Sequence, residues 1–184
     1  MTTQVAFLRA VNVGKRTVSM ARLADVMVDL GFGDVSTFIN SGNVIFEGSG
    51  PRGTLEQSIG DALRAEYGFE VTTFVRSVSE LKKIVATEPF EVLDGDTYFV
   101  TFLLSALDAG TTAALEGLSN DFDTLVVRGR DVHWRMHGKS TDSQLKKKDW
   151  RIVGENASTS RNITMLRKLL AKAGDRDILI RGGT

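Results

Sequence analysis

The side chains with the clearest chemical potential are arginines and lysines set among short polar residues. Thr159-Ser160-Arg161-Asn162 leads into an apolar pattern of helical spacing. Ser158, Thr159 or Ser160 can cap a helix there, and the free backbone N–H groups and positive dipole end of such a helix attract anions. Arg161 would add a planar fork that fits a phosphate or carboxylate, with Asn162 beside it. The alternative is structural: Arg161 pairs with a carboxylate such as Glu155, and Asn162 serves the cap. A second basic stretch covers residues 138–151, where Lys139, Lys146, Lys147, Lys148 and Arg151 outnumber Asp142 and Asp149. It reads either as a solvated face or as a local anion site supplied by Lys139, Ser140 and Lys146. The third stretch is RAVNVGKR, residues 9–16, where Arg9 and Asn12 flank a loop whose Gly14 permits close backbone approach. Its plain alternative is a strand-to-helix turn. Two Gly-containing loops and a capped helix start point to binding of a small phosphorylated or otherwise anionic ligand.

Other chemistries find less support. His133 and His137 are the two histidines of the chain. On a strand they stand about 13 Å apart, at about 3.3 Å per residue. One metal ion cannot bridge that gap with Zn–N bonds of about 2.0–2.1 Å, so no metal site is expected. Strand alternation would turn Val132, Trp134 and Met136 inward. His133, Arg135 and His137 would then line an open sheet face, where Arg135 can meet a ligand or partner. Gly138-Lys139-Ser140 is like the end of a phosphate-binding P-loop, but the motif needs a glycine where His133 stands. The G-x-G-x-x-G dinucleotide fingerprint and the G-x-S-x-G nucleophile elbow are missing as well. No cofactor is implied, and no nucleophile or general base stands out, which leaves enzymatic activity open. Two further readings carry their own signatures. A nucleic-acid module would use the lysines at 146–148 with Trp150 as a surface aromatic, and its binding would weaken steeply with salt. A protein-interaction module would pair through an edge strand at residues 177–181, as a monomer or homodimer.

These residues need elements to position them, and apolar periodicity supplies the outline. A strand at residues 5–10 precedes a helix at 20–30 that Ser19 can cap. Strands at 35–39 and 44–46 are joined by Asn40-Ser41-Gly42-Asn43, good hairpin chemistry because Asn and Gly tolerate positive φ. A helix at 55–67, capped by Thr54, and a strand at 70–76 complete a β-α-β-β-α-β order. That is the ferredoxin-like pattern. A connecting helix at 80–87, capped by Ser79, follows. The pattern then restarts with a strand at 98–104, a helix at 109–118, a hairpin around Gly129-Arg130-Asp131 and a helix at 160–173, and the residues at 177–181 are compatible with a final strand. Short segments match as well. Val5-Ala6-Phe7-Leu8 resembles Val100-Thr101-Phe102-Leu103, and residues 37–46 resemble residues 125–134. The expected fold is α+β, a duplicated ferredoxin-like plait with mainly antiparallel sheets. Its parts are a first half at 1–77, a connector at 78–96 and a second half with a C-terminal extension at 97–184.

Bulk composition fits this outline. The chain of 184 residues has 42% hydrophobic and 25% charged residues, enough for a packed core. Cysteine is absent, which fits a reducing compartment. The 23 basic and 23 acidic residues cancel, which argues against a globally basic nucleic-acid binder. No apolar run approaches the roughly 20 residues that span a bilayer, and the N-terminus has no signal-peptide pattern. A cytoplasmic protein without a membrane partner is expected.

Several segments together resemble DUF1697, an uncharacterised bacterial family. They are Phe7-Leu8-Arg9-Ala10-Val11-Asn12-Val13-Gly14, Val18-Ser19-Met20, Leu30-Gly31-Phe32 and Ser41-Gly42-Asn43-Val44-Ile45-Phe46, then Gly138-Lys139-Ser140 and Thr159-Ser160-Arg161-Asn162. The likeness runs from about residue 5 to about residue 173. Ala10 stands where the family pattern prefers Gly, and Ser19 where it prefers Pro. The resemblance implies the fold and assigns no activity.

Overall fold

In the computed structural model, described here apart from Ala10, Val13, Lys15, Asn40, Ser41, residues 182–184 and the side chains of 175–181, the chain forms two compact units. One comprises Met1–Lys83 with the chain from Lys168 onward, and the other Ile84–Arg167.

The first unit is built on β1 (Thr2–Leu8), α1 (Met20–Asp29), β2 (Gly33–Thr37), β3 (Asn43–Gly48), α2 (Arg52–Tyr67) and β4 (Thr73–Ser77). The strands make one antiparallel sheet in the order β2-β3-β1-β4. Alternate strand residues Ala6, Leu8, Val44, Phe46 and Val75 face one side, as period-2 geometry requires. There they meet Leu23, Val26 and Met27 of α1 and Leu55, Ile59 and Leu63 of α2, all buried. Ser19 caps α1 by accepting the Arg22 N–H at 3.4 Å. Helix α2 begins earlier than Thr54, with Pro51 at the cap position, and ends at left-handed Gly68.

Helix α3 (Val78–Ala86) follows β4 at once. Its cap is Ser77, not Ser79. The Glu80 N–H donates to Ser77 Oγ at 3.1 Å, and the Ser77 N–H donates to Glu80 Oε2 at 2.8 Å. This reciprocal capping box satisfies two donors that a helix start otherwise leaves open.

The second unit repeats the plan with β5 (Thr97–Leu103), α4 (Ala109–Glu116), β6 (Asp123–Arg128), β7 (Asp131–Met136) and β8 (Ser158–Asn162). The sheet order β6-β7-β5-β8 matches that of the first unit, strand for strand. The fold is therefore a duplicated ferredoxin-like plait. One position of the plan is filled differently. Where the first unit has α2, the second has only short 3-10 turns at Ser140–Asp142 and Asp149–Val153. Leu145, Trp150, Ile152 and Val153 from this segment pack on the cluster of Leu103, Leu115, Leu125, Val127 and Val132, which supplies the cover a helix would give.

Two expectations at the C-terminus are corrected. Residues 158–162 are strand β8, because their backbone pairs with β5, and helix α5 (Ile163–Arg181) begins after it. Residues 177–181 lie in α5 rather than in an edge strand, so pairing through such a strand falls away. The short polar residues of β8 look like caps locally, but pairing with a buried neighbour decides their conformation.

Candidate functional site

The loop that joins β1 to α1 is held from both sides at its start. The Leu8 N–H donates to Gly42 O at 2.8 Å, and the Arg9 N–H donates to Thr72 O at 2.9 Å. Val11 is buried and packs against Gly42, whose φ is 73°. Asn12 takes a left-handed φ of 56°, and its Oδ1 accepts the Val18 N–H at 2.7 Å. Asn is among the few side-chain-bearing residues that adopt this conformation readily. Gly14 follows with φ 63°. Asn43, fully buried, donates through Nδ2 to Phe38 O at 3.1 Å and secures the hairpin. Two sequence segments about thirty residues apart thus converge on one loop.

Beside this loop lies a cleft of about 270 Å³ lined by Arg9, Arg16, Glu70 and Thr72. Arg9 and Arg16 sit near the two ends of the loop, and both are exposed. The Arg16 guanidinium lies over the Phe69 ring, 5.2 Å from its centroid. Among the described residues, no side-chain hydrogen bond or ion pair engages Arg9, Arg16 or Glu70. A second hollow, about 320 Å³, lies along α1 and α2, but its Arg22 is already held by Glu66 through two bonds of 2.7 Å. The first cleft therefore has the unspent cationic donors. Arg9 and Asn12 were expected from the sequence; Arg16 was noted only as part of the polar loop. Glu70 and Thr72 were missed, since nothing local marks residues that join a site from a distant strand. Lys15, Asn40 and Ser41 lie outside the described residues.

The remaining expected residues belong to the second unit. Arg161 is on β8, two residues before α5, and only 9% exposed. Its Nη1 donates to Thr159 Oγ1 at 2.7 Å and Ser160 O at 2.9 Å. Burial lowers its pKa to about 10. Asn162 caps α5, accepting the Thr164 N–H at 2.8 Å. Lys139 and Ser140 are exposed, and the Lys146 ammonium donates to Ser143 O at 2.8 Å. The segment that carries them is tied down by Asp123, which has no exposed surface. Its carboxylate accepts Trp134 Nε1–H, Ser143 Oγ–H and the Gln144 N–H, each at 2.8 Å.

Two expectations about the aromatic and histidine side chains change. His133 does not face solvent: it is 1% exposed, and its Nδ1 lies 2.5 Å from the hydroxyl of buried Tyr98. Burial, with a smaller push from the Arg128 charge, drives the His133 pKa down to about 4. Burial likewise raises Tyr98 to about 12. The imidazole is thus neutral and the phenol protonated at pH 7. Strand β7 is buried on both faces, since neighbours Val132 and His133 are both enclosed; an alternation argument presupposes one wet face. Trp150 is not a free surface aromatic, because it packs on Trp134 with ring centroids 5.2 Å apart. Arg135 is engaged too, with Nη1 donating to Glu91 O and Nη2 to Thr124 Oγ1, each at 2.8 Å. His137 remains exposed and meets Asp96 at 3.0 Å. Desolvation opposes the charge on Asp96, but the Leu93 N–H and His137 outweigh it and hold the carboxyl below its ordinary range.

The fold and this loop define a class: a duplicated ferredoxin-like protein with a cationic cleft beside the first strand-to-helix loop of its first unit. The chain belongs to the family described as protein of unknown function (DUF1697), whose model matches residues 1–133. The family-like segments at 138–140 and 159–162 lie beyond that match. Among solved structures, the chain is similar to the conserved bacterial protein SP0830 from Streptococcus pneumoniae. The two are 22% identical, with 94% of this chain and 98% of that one covered and a TM-score of 0.75. At that identity the likeness concerns the fold. No curated protein matches the chain. Among the described residues, no helix is long and apolar enough to cross a membrane.

Proposed function

We propose that this protein binds a small phosphorylated or otherwise anionic ligand in the cleft beside the β1–α1 loop. The observation that carries this reading is the pair Arg9 and Arg16, which line one cleft of about 270 Å³ without a side-chain acceptor for either among the described residues. Guanidinium forks match phosphate and carboxylate oxygens in bidentate geometry. Asn12, which lies in sequence between the two arginines, supports the reading because its left-handed backbone and its bond from the Val18 N–H hold it in place. The reading rests on residues of the first unit alone; Arg161, Asn162, Lys139, Ser140 and Lys146 belong to the second.

A thermal-shift titration with inorganic phosphate at low salt tests the proposal. A ligand that binds only the folded state raises the melting temperature as its concentration exceeds its dissociation constant. Arg9→Ala should remove the shift while leaving the ligand-free melting temperature unchanged, since Arg9 is exposed. Loss of one charged hydrogen-bonding group corresponds to about a tenfold or greater loss of affinity. An equal shift in the variant would overturn the assignment.

A further inference from the structure

The cleft holds more than cationic donors. Glu70 lines it together with Arg9 and Arg16, as does Thr72. The Glu70 carboxylate, too, has no side-chain partner among the described residues. A guanidinium only donates, and an ionised carboxylate only accepts. A bare phosphate would satisfy the two arginines and be repelled by Glu70. A ligand that satisfies every group must carry an anionic end and, a few ångströms away, hydrogen-bond donors. Charge decides which donors. Among the described lining residues, the three ionised side chains sum to a single positive charge, which a phosphomonoester dianion of about −1.5 to −2 more than balances. An ammonium would be drawn to Glu70 but repelled by two guanidiniums across the same small space. Hydroxyl groups deliver donors with no such penalty. Size narrows the class further, because about 270 Å³ falls just under the roughly 300–1,000 Å³ of pockets that enclose drug-sized ligands. A monosaccharide phosphate is of that size.

We infer that the ligand is a hydroxylated phosphomonoester of sugar-phosphate size, with Glu70 accepting hydrogen bonds from its hydroxyls and acting as the specificity-determining residue. This rests on the anion-binding reading above and adds the part of the ligand that Glu70 recognises.

Isothermal titration with inorganic phosphate and with ribose 5-phosphate separates the two claims. In the wild type, ribose 5-phosphate should bind about tenfold more tightly than phosphate, the factor expected for hydrogen bonds to a charged acceptor. Glu70→Gln should leave phosphate binding equal or tighter, because a repulsive charge is gone, while ribose 5-phosphate loses its advantage. Glu70 is exposed, so the variant should fold as the wild type does. Equal affinity of the two compounds for the wild type, or an undiminished preference in Glu70→Gln, overturns the sugar-phosphate inference and leaves anion binding intact. Absence of binding by either compound overturns both.

Discussion

Gly42 illustrates how single residues shape the proposed site. Its φ of 73° suits glycine, and a Cβ there would lie 2.4 Å from Val11 Cγ2 and 3.0 Å from Leu8 Cβ. Both neighbours belong to the strand and loop that lead into the cleft. Gly42→Ala should therefore cost about 1–3 kcal/mol through backbone strain and overpacking. A urea midpoint equal to the wild type's would refute this account of the glycine. His133 makes a second prediction. In the folded chain its pKa sits at about 4, against 6.5 when unfolded. Between those values the unfolded state binds more protons, so stability is full above about pH 6.5 and falls as the pH drops toward 4. The loss between pH 6.5 and 5 should be on the order of 1–2 kcal/mol. His133→Gln should flatten that part of the profile, whatever its effect at pH 7; a slope that survives the substitution would assign the loss to other groups. Arg9 and Asn12 were legible in the sequence as a polar loop after a strand. The burial of His133 was not, because residue type and alternation do not reveal that both faces of β7 are covered.

At the scale of elements, the segment between β7 and β8 carries the clearest lesson. Its lysines are the most conspicuous feature of its sequence, yet its apolar residues Leu145, Trp150, Ile152 and Val153 are what pack on the sheet. Asp123 anchors it through three donors. Asp123→Asn should cost about 2–3 kcal/mol, since an amide cannot accept all three bonds and adds donors of its own. Trypsin should then cut faster at the lysines of 146–148. Unchanged stability and cleavage would remove Asp123 from its anchoring role. Most helices and strands were legible from periodicity and caps. The start of α5 was not, because Ser158, Thr159 and Ser160 are good cap residues whose actual fate is set by pairing with β5. The apolar, β-branched run at 177–181 read as a strand for the same reason: a local preference, here overruled as α5 continues through it.

For the whole molecule, the duplication reaches the level of register. Val5 faces Ile45 and Arg76 across its sheet, and Val100 faces His133 and Arg161 across its own. The two arginines even bond alike, each donating to the carbonyl of the preceding residue at 3.0 and 2.9 Å. The sequence match of 37–46 with 125–134 holds across β3 and β7, but it slips in the preceding strand. There Thr37 corresponds to Val127, because the first hairpin is longer. Besides the missing counterpart of α2, the halves diverge where the proposed site lies. Residues 9–19 join β1 to α1, whereas 104–108 join β5 to α4 without an arginine. Duplication of the framework therefore does not duplicate the cleft. Isothermal titration of the intact chain with inorganic phosphate tests this directly. The account predicts one site per chain, weakened about tenfold or more by Arg9→Ala at an unchanged unfolding midpoint. Two equivalent sites, or the same affinity without the Arg9 guanidinium, would contradict it.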